Sequence, residues 1–200
     1  MTTAHDLMLV ALGMPGHSVE EGDLSLALAG AEALDLLEGG ALTLDGDRLV
    51  PGPPASTGDR LLDAAYAALD KSEPYETVDD WLWRRGSELA ATYLDDLWRK
   101  GLITQTHGQG IHLWPGPACL ADSPARQAAE ERRRSGEPLL SILLSAAGIG
   151  EEPADIPERV VGEAVTTVLA AVGESVTQLE ALRLRRDIEN AAFDNVWRGY

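Results

Sequence analysis

The sequence predicts a mainly α-helical domain, a helical bundle carrying two small β-hairpins. Three observations predict it. Apolar residues recur at helical spacing in segment after segment, Gly, Pro and Asp/Ser/Thr punctuate the intervals between them, and only two short stretches alternate around glycine-bearing turns. At 200 residues the chain is long enough to bury one ordinary core, and it shows no internal repeat or low-complexity tract.

The first helix is expected from Thr3 to Leu12, with Thr3 as its N-cap and Leu7, Met8, Val10, Ala11 and Leu12 apolar. Leu24, Ala27, Leu28, Ala31 and Leu34 mark one face of a second helix that starts at Gly22 or Asp23 and stops at Gly39-Gly40. Ala41–Leu44 and Arg48–Val50 flank Asp45-Gly46-Asp47, an Asp-Gly hairpin turn. Asp59 opens a third helix with Leu62, Ala65 and Leu69 on one face; Thr77 starts a short turn carrying Val78, Trp81 and Leu82. Ser87 is expected to begin a longer helix with the stripe Leu89, Tyr93, Leu94 and Leu97, closed by Lys100-Gly101.

A second hairpin is predicted from Leu102–Thr106 and Ile111–Trp114 across His107-Gly108-Gln109-Gly110. Ser123-Pro124 reads as an N-cap and first helical residue of a segment to Arg134, followed by an apolar segment from Leu139 to Ala147. Pro157 then opens a core helix carrying Val160, Val161, Ala164, Val165, Val168, Leu169 and Val172. A separate last helix starts near Ser175, with Val176, Leu179, Leu182, Ile188, Ala192 and Val196 inward.

Composition narrows the function classes. A net charge of −17 repels nucleic acid and anionic lipid unless a local basic pocket intervenes, and both halves of the chain around Leu120 are acidic. No apolar run is long enough to span a membrane and the N-terminus lacks a basic start, so the expected location is the cytoplasm. The single Cys119 can form no internal disulfide and reads as a small buried apolar residue. Fourteen arginines against two lysines point to a GC-rich bacterial genome.

His5, His17, His107 and His112 follow no metal-ligand spacing, and His107 and His112 read as exposed turn residues; no cofactor is implied. The acidic doublets, Asp79-Asp80 and Asp95-Asp96 among them, read as solvated faces because adjacent helical residues diverge by about 100°. The basic clusters Arg132–Arg134 and Arg183, Arg185, Arg186 are matched by nearby acids at ion-pair spacing. The tryptophans Trp81, Trp83, Trp98, Trp114 and Trp197 are expected to anchor the core or an interface. Helix Ser87–Lys100 followed by a hairpin has the order of a winged helix, which raises a DNA-binding regulator as the alternative function. Against it, that helix carries Glu88, Asp95 and Asp96, and the hairpin has no Arg or Lys.

One pattern points to a family. Thr57-Gly58-Asp59-Arg60-Leu61-Leu62-Asp63, followed by Glu76-Thr77-Val78-Asp79-Asp80-Trp81-Leu82, resembles the T-G-D-x-L-L-D and E-T-V-x-x-W segments of the Golgi phosphoprotein 3 family. The helix end and hairpin at Leu36–Leu44 and the helix exit Trp98–Ile103 agree with that order. The resemblance implies a non-enzymatic, mainly helical adaptor peripheral to a membrane, here its inner face. Eukaryotic members bind phosphatidylinositol 4-phosphate and retain glycosyltransferases.

The family's headgroup pocket, one tryptophan and three arginines, falls at Glu20, Ala29, Ser87 and Ala90, none of which keeps the family residue. Losing three guanidiniums and gaining an acid removes the bonds a phosphate needs, so binding of an anionic lipid headgroup is expected to be weak or altered. Arg84 and Arg85 are the nearby cations that could replace them. The family's self-association hairpin maps to Ile103, Ile111, Leu113 and Trp114, an apolar strip that reads either as a homo-oligomer contact or as the capping hairpin of a monomer, and the acidic surface favours a basic protein partner over a bare anionic membrane. No nucleic-acid partner is expected.

Overall fold

The structure is a computed structural model and describes residues 1–14, 19–54, 56–104, 119–150 and 162–198. It is mainly helical, as the sequence predicts. The elements in chain order are α1 (Thr3–Gly13), α2 (Glu21–Glu38), β1 (Leu42–Asp45), β2 (Arg48–Pro51), α3 (Arg60–Ala68), α4 (Val78–Arg85) and α5 (Leu89–Arg99). Then follow β3 (Ile103–Thr104), β4 (Cys119–Leu120), α6 (Pro124–Arg134), α7 (Pro138–Ala146) and α8 (Glu163–Arg198).

The bundle is organised around α1 and α2, which are buried on nearly every side: Thr3 through Ala11 and Asp23 through Leu34 are inaccessible to solvent. Small residues let the neighbours close in. A Cβ on Gly30 would stand 2.3 Å from a Val172 methyl carbon, so α2 and α8 cross in contact at that glycine. Val168, Leu169, Val172 and Val176 form the buried face of α8, the helical spacing expected of a core helix.

Local signals place most boundaries. Asp59 accepts from the Leu61 and Leu62 amides at 2.9 and 3.2 Å and Ser123 from Arg126 at 3.2 Å, so each starts the helix it was expected to start, while Thr77, expected to open only a short turn, accepts from Asp80 at 3.1 Å and caps the eight-residue α4. Beyond α2, Gly40 takes φ 68°, and Ala41 N–H returns to the Leu36 carbonyl at 3.0 Å, a Schellman closure that turns the chain into β1. The β1–β2 hairpin pairs Asp45 with Arg48 around Gly46. Leu49 N–H to Glu76 O at 2.9 Å and Val78 N–H to Asp47 O at 2.8 Å tie the hairpin to the start of α4.

Several expectations need correction. The cap of α1 is Thr2, whose hydroxyl accepts from His5 N–H, while the Thr3 amide is occupied by Asp35. Helix α2 begins at Glu21, ahead of Gly22 and Asp23, and no side chain caps it. Ser87 does not start α5: Gly86 closes α4, and Glu88 turns the chain with φ 56° before the helix begins at Leu89. Strand β3 pairs with Cys119–Leu120, residues the predicted hairpin did not include; Ile103 faces Leu120, and both side chains are buried in the core. Ile111, Leu113, Trp114, His17, His107, His112, the Cys119 side chain and residues 151–161 lie outside the described residues.

The two last helices expected from sequence are one 36-residue helix, α8, because Gly173 only lowers helix propensity and the pattern runs through it. Ser175, expected at a helix start, is buried mid-helix and donates to Asp79 at 3.1 Å. Leu182 and Ile188, expected inward, are 53% and 69% exposed, because among the described residues α8 finds no neighbour at that end. Neither α8 nor any other described helix is long and apolar enough to cross a membrane.

Candidate functional site

Gly86 brings the α4–α5 corner down onto the first turns of α2: a Cβ there would lie 3.3 Å from the Ser25 carbonyl and 2.5 Å from that of Leu82. The corner, the N-terminus of α2 and the flank of α8 enclose an open cavity of about 450 Å³. Glu21, Gly22, Ser25, Trp83, Ser87 and Glu88 line it, with Leu26 and Leu179.

Of the four positions assigned to the headgroup pocket, one lines this cavity and two neighbour its lining residues. Ser87 lines it, Glu20 precedes the lining residue Glu21, and Ala90 N–H donates to the lining Ser25 Oγ at 3.0 Å. Ala29 lies one turn beyond Ser25 and is fully buried, its carbonyl accepting from Trp81 Nε1 at 3.1 Å. Trp81 is thus a core anchor, as expected, while Trp83 is half-buried on the cavity wall.

The charge around the cavity is acidic. Glu20, Glu21 and Glu88 are exposed at its edge. A guanidinium, that of Arg183, packs against the lining residue Gly22 and holds Asp23 at 2.8 Å. Burial raises the Asp23 carboxyl above its ordinary range against the pull of Arg183, and Glu180 and Glu20 push the same way as burial.

Arg84 and Arg85, the candidate replacements, are both committed elsewhere. Arg84 reaches Glu76 at 2.7 and 3.1 Å and the Ala68 carbonyl at 3.0 Å, and its guanidinium lies 5.4 Å from the Trp81 ring. Arg85 grips Glu32 with two parallel bonds of 2.7 and 2.9 Å, and Tyr93 OH donates to the same carboxylate at 3.1 Å. Glu32 is fully buried, and burial lifts its carboxyl above the ordinary range despite Arg85. Burial and the Glu32 charge push the Tyr93 hydroxyl well above its usual value.

Sequence reasoning missed a second polar centre. His5 is fully buried between Asp59 and Asp96, with Lys100 beside it. Asp96, expected on a solvated face, is 3% exposed. Burial works against its charge, but the His5, Lys100 and Arg60 contacts outweigh it and hold the carboxyl well below the usual range. Arg133 and Arg134 make the expected ion pairs within α6, with Glu130 and Glu131. Arg132 instead reaches Asp6 at 2.6 Å and Glu137 at 3.1 Å. These contacts join residues up to 126 positions apart, which no local spacing announces.

A family model for Golgi phosphoprotein 3 (GPP34) matches residues 4–194. The chain belongs to the Golgi phosphoprotein 3 family. No individually curated protein gives a significant match. Family membership and the packing of α5 together weigh against the winged-helix alternative. Leu89, Ala90, Tyr93, Asp96 and Leu97 of that helix are buried, and its Arg99 and Lys100 face Asp96.

Proposed function

We propose that this Golgi phosphoprotein 3 family member is a non-enzymatic adaptor, working in the cytoplasm at the inner face of a membrane. Its headgroup pocket persists as a cavity but no longer takes phosphatidylinositol 4-phosphate. A basic protein partner, rather than a bare anionic membrane, is the surface it meets.

The observation that carries this reading is the charge at the cavity. Glu20, Glu21 and Glu88 border it, and none of its described lining residues is a lysine or arginine. A phosphate monoester needs charge-assisted, preferably bidentate donors. Recruiting Arg85 would leave the buried Glu32 carboxylate unpaired, at a cost of about 3–5 kcal/mol. Arg84 is the more exposed of the two and its pair with Glu76 is easier to break, but three acids face it, and Arg183 beside Gly22 is already held by Asp23.

The test is vesicle co-sedimentation at ~0.1 M salt, a concentration at which exposed charges farther apart than about 10 Å are screened. Neutral vesicles are compared with vesicles carrying phosphatidylinositol 4-phosphate or bulk anionic lipid. The reading predicts no headgroup-dependent pelleting. Pelleting that requires phosphatidylinositol 4-phosphate and is lost in Arg84→Ala/Arg85→Ala would overturn it, and would assign the headgroup to the relocated arginines.

A further inference from the structure

At the junction of α1, α3 and α5, Asp96 and Lys100 compete for one imidazole nitrogen of His5. His5 Nε2, Asp96 Oδ2 and Lys100 Nζ form a triangle with sides of 3.0, 2.7 and 2.8 Å. An imidazole nitrogen has one in-plane site, filled either by hydrogen or by a lone pair. Nε2 therefore cannot donate to Asp96 and accept from Lys100 at once.

Each protonation state selects one partner. With hydrogen on Nδ1 alone, Nδ1–H donates to Thr2 Oγ1 at 2.8 Å, and Lys100 donates to both Nε2 and Asp96. With a second proton on Nε2, that nitrogen donates to Asp96, and an imidazolium then stands beside an ammonium. Like charges at such a distance separate, and only one of them can move: His5 is fully buried, whereas the Lys100 side chain is 39% exposed.

We propose that His5 is a proton-operated latch on Lys100, in which protonation of the imidazole expels the Lys100 ammonium into solvent and hands its place on Asp96 to Nε2–H. The proton comes from solvent, and Lys100 stays charged throughout. Lys100 caps α5 immediately before Gly101 and β3, and it also reaches Asp59 at the start of α3, so its release unties the two helix ends. The expelled ammonium joins the exposed Arg60 and Arg99, making this end of an acidic protein more basic in acid.

The groups that face His5 from the packed elements carry both signs of charge. Asp59 lies 3.6 Å from Nδ1 while remaining bound to the α3 amides, and the Tyr93 ring meets the imidazole edge-on at 5.1 Å. Arg60 and Arg99 sit on the far oxygen of Asp96, at 2.8 and 4.0 Å. Asp35 of α2 takes the Thr3 and Ala4 amides in the same turn of α1. Arg132 of α6, held by Glu137 at the start of α7, pairs with Asp6. Strand β4 (Cys119–Leu120) brings no charged residue. Lys100 is the one cation among the described residues in contact with the imidazole itself.

The chain has only two lysines, which makes the test direct. In protein labelled at lysine and histidine, NMR follows both side-chain types across a pH titration, with Lys71, placed over the Tyr66 ring, as internal control. The latch predicts one common midpoint for His5 protonation and for loss of the protected Lys100 ammonium signal, no step at Lys71, and no Lys100 step in His5→Gln. A Lys100 signal unchanged through His5 protonation, a step that persists in His5→Gln, or a His5 that stays neutral wherever the protein is folded would each overturn it. Should His5→Gln not fold, Lys100→Met decides: removing the ammonium must raise the His5 midpoint, and an unchanged or lower midpoint overturns the latch.

Discussion

If Arg85 is committed to the core, removing it must cost stability rather than ligand affinity. In Arg85→Met, Glu32 loses two of its three hydrogen bonds in a fully buried site and keeps only Tyr93 OH. Leaving one member of a buried pair unmatched costs about 3–5 kcal/mol. Protonation sets a ceiling. Bringing a carboxyl with an ordinary value of 4.5 to its neutral form at pH 7 costs about 3.4 kcal/mol at 1.36 kcal/mol per pH unit, so a loss of about 3 kcal/mol is expected.

The sign with pH follows. Burial raises the Glu32 carboxyl in the folded state, and more so without Arg85, so folding of the variant takes up a proton and its stability rises as pH falls from 7. Urea unfolding followed by tryptophan fluorescence should show the deficit shrinking by about 2 kcal/mol between pH 7 and pH 5.5. The double variant Arg85→Met/Glu32→Gln should recover most of the loss. A deficit below about 1 kcal/mol, the size of a surface pair, or one that is constant with pH, would refute the assignment of Arg85 to the core.

Three further outcomes can be checked. Asp96→Asn should cost about 2–4 kcal/mol at pH 7; because the folded Asp96 carboxyl lies below its ordinary value of 3.8, the difference from wild type persists above that value and closes only in stronger acid, as acid-unfolding curves would show. Gly30→Ala should destabilise by about 1–3 kcal/mol through the clash with Val172, whereas Gly173→Ala, with open space at its Cβ, should stabilise by about 0.5–1 kcal/mol in thermal melts. Ile103 is 2% exposed within one chain, which leaves Ile111, Leu113 and Trp114 of the positions the resemblance assigns to self-association; light scattering should find wild type larger than Trp114→Ala, and equal masses would contradict that assignment.

What the sequence made legible was local. Asp59 and Ser123 announced helix starts, and Thr77 the start of a turn, because a side-chain oxygen capping an amide three residues on is written in consecutive positions. Gly40 and Gly101 announced helix ends for the same reason, and the T-G-D and E-T-V segments announced the family. The errors came where tertiary contacts decide. Gly173 and Ser175 look like a break, yet Ser175 donates to Asp79, 96 residues away, and the helix continues. Cys119–Leu120 carries no alternation that marks a strand, yet Leu120 is the residue the core sets opposite Ile103. His5 and Asp96, 91 residues apart, carry no mutual spacing signal, and the loss of family cations was visible while the pairing of Arg85 with Glu32 was not.

The central claim is that the cavity at the α2 N-terminus keeps the shape of a headgroup site without its charge. The most direct measurement is the indole N–H resonance of Trp83, on the cavity wall, during titration with the soluble headgroup inositol 1,4-bisphosphate at ~0.1 M salt. The account predicts a resonance that does not move. A saturable shift of Trp83 that disappears when Arg84 is replaced by alanine would contradict it.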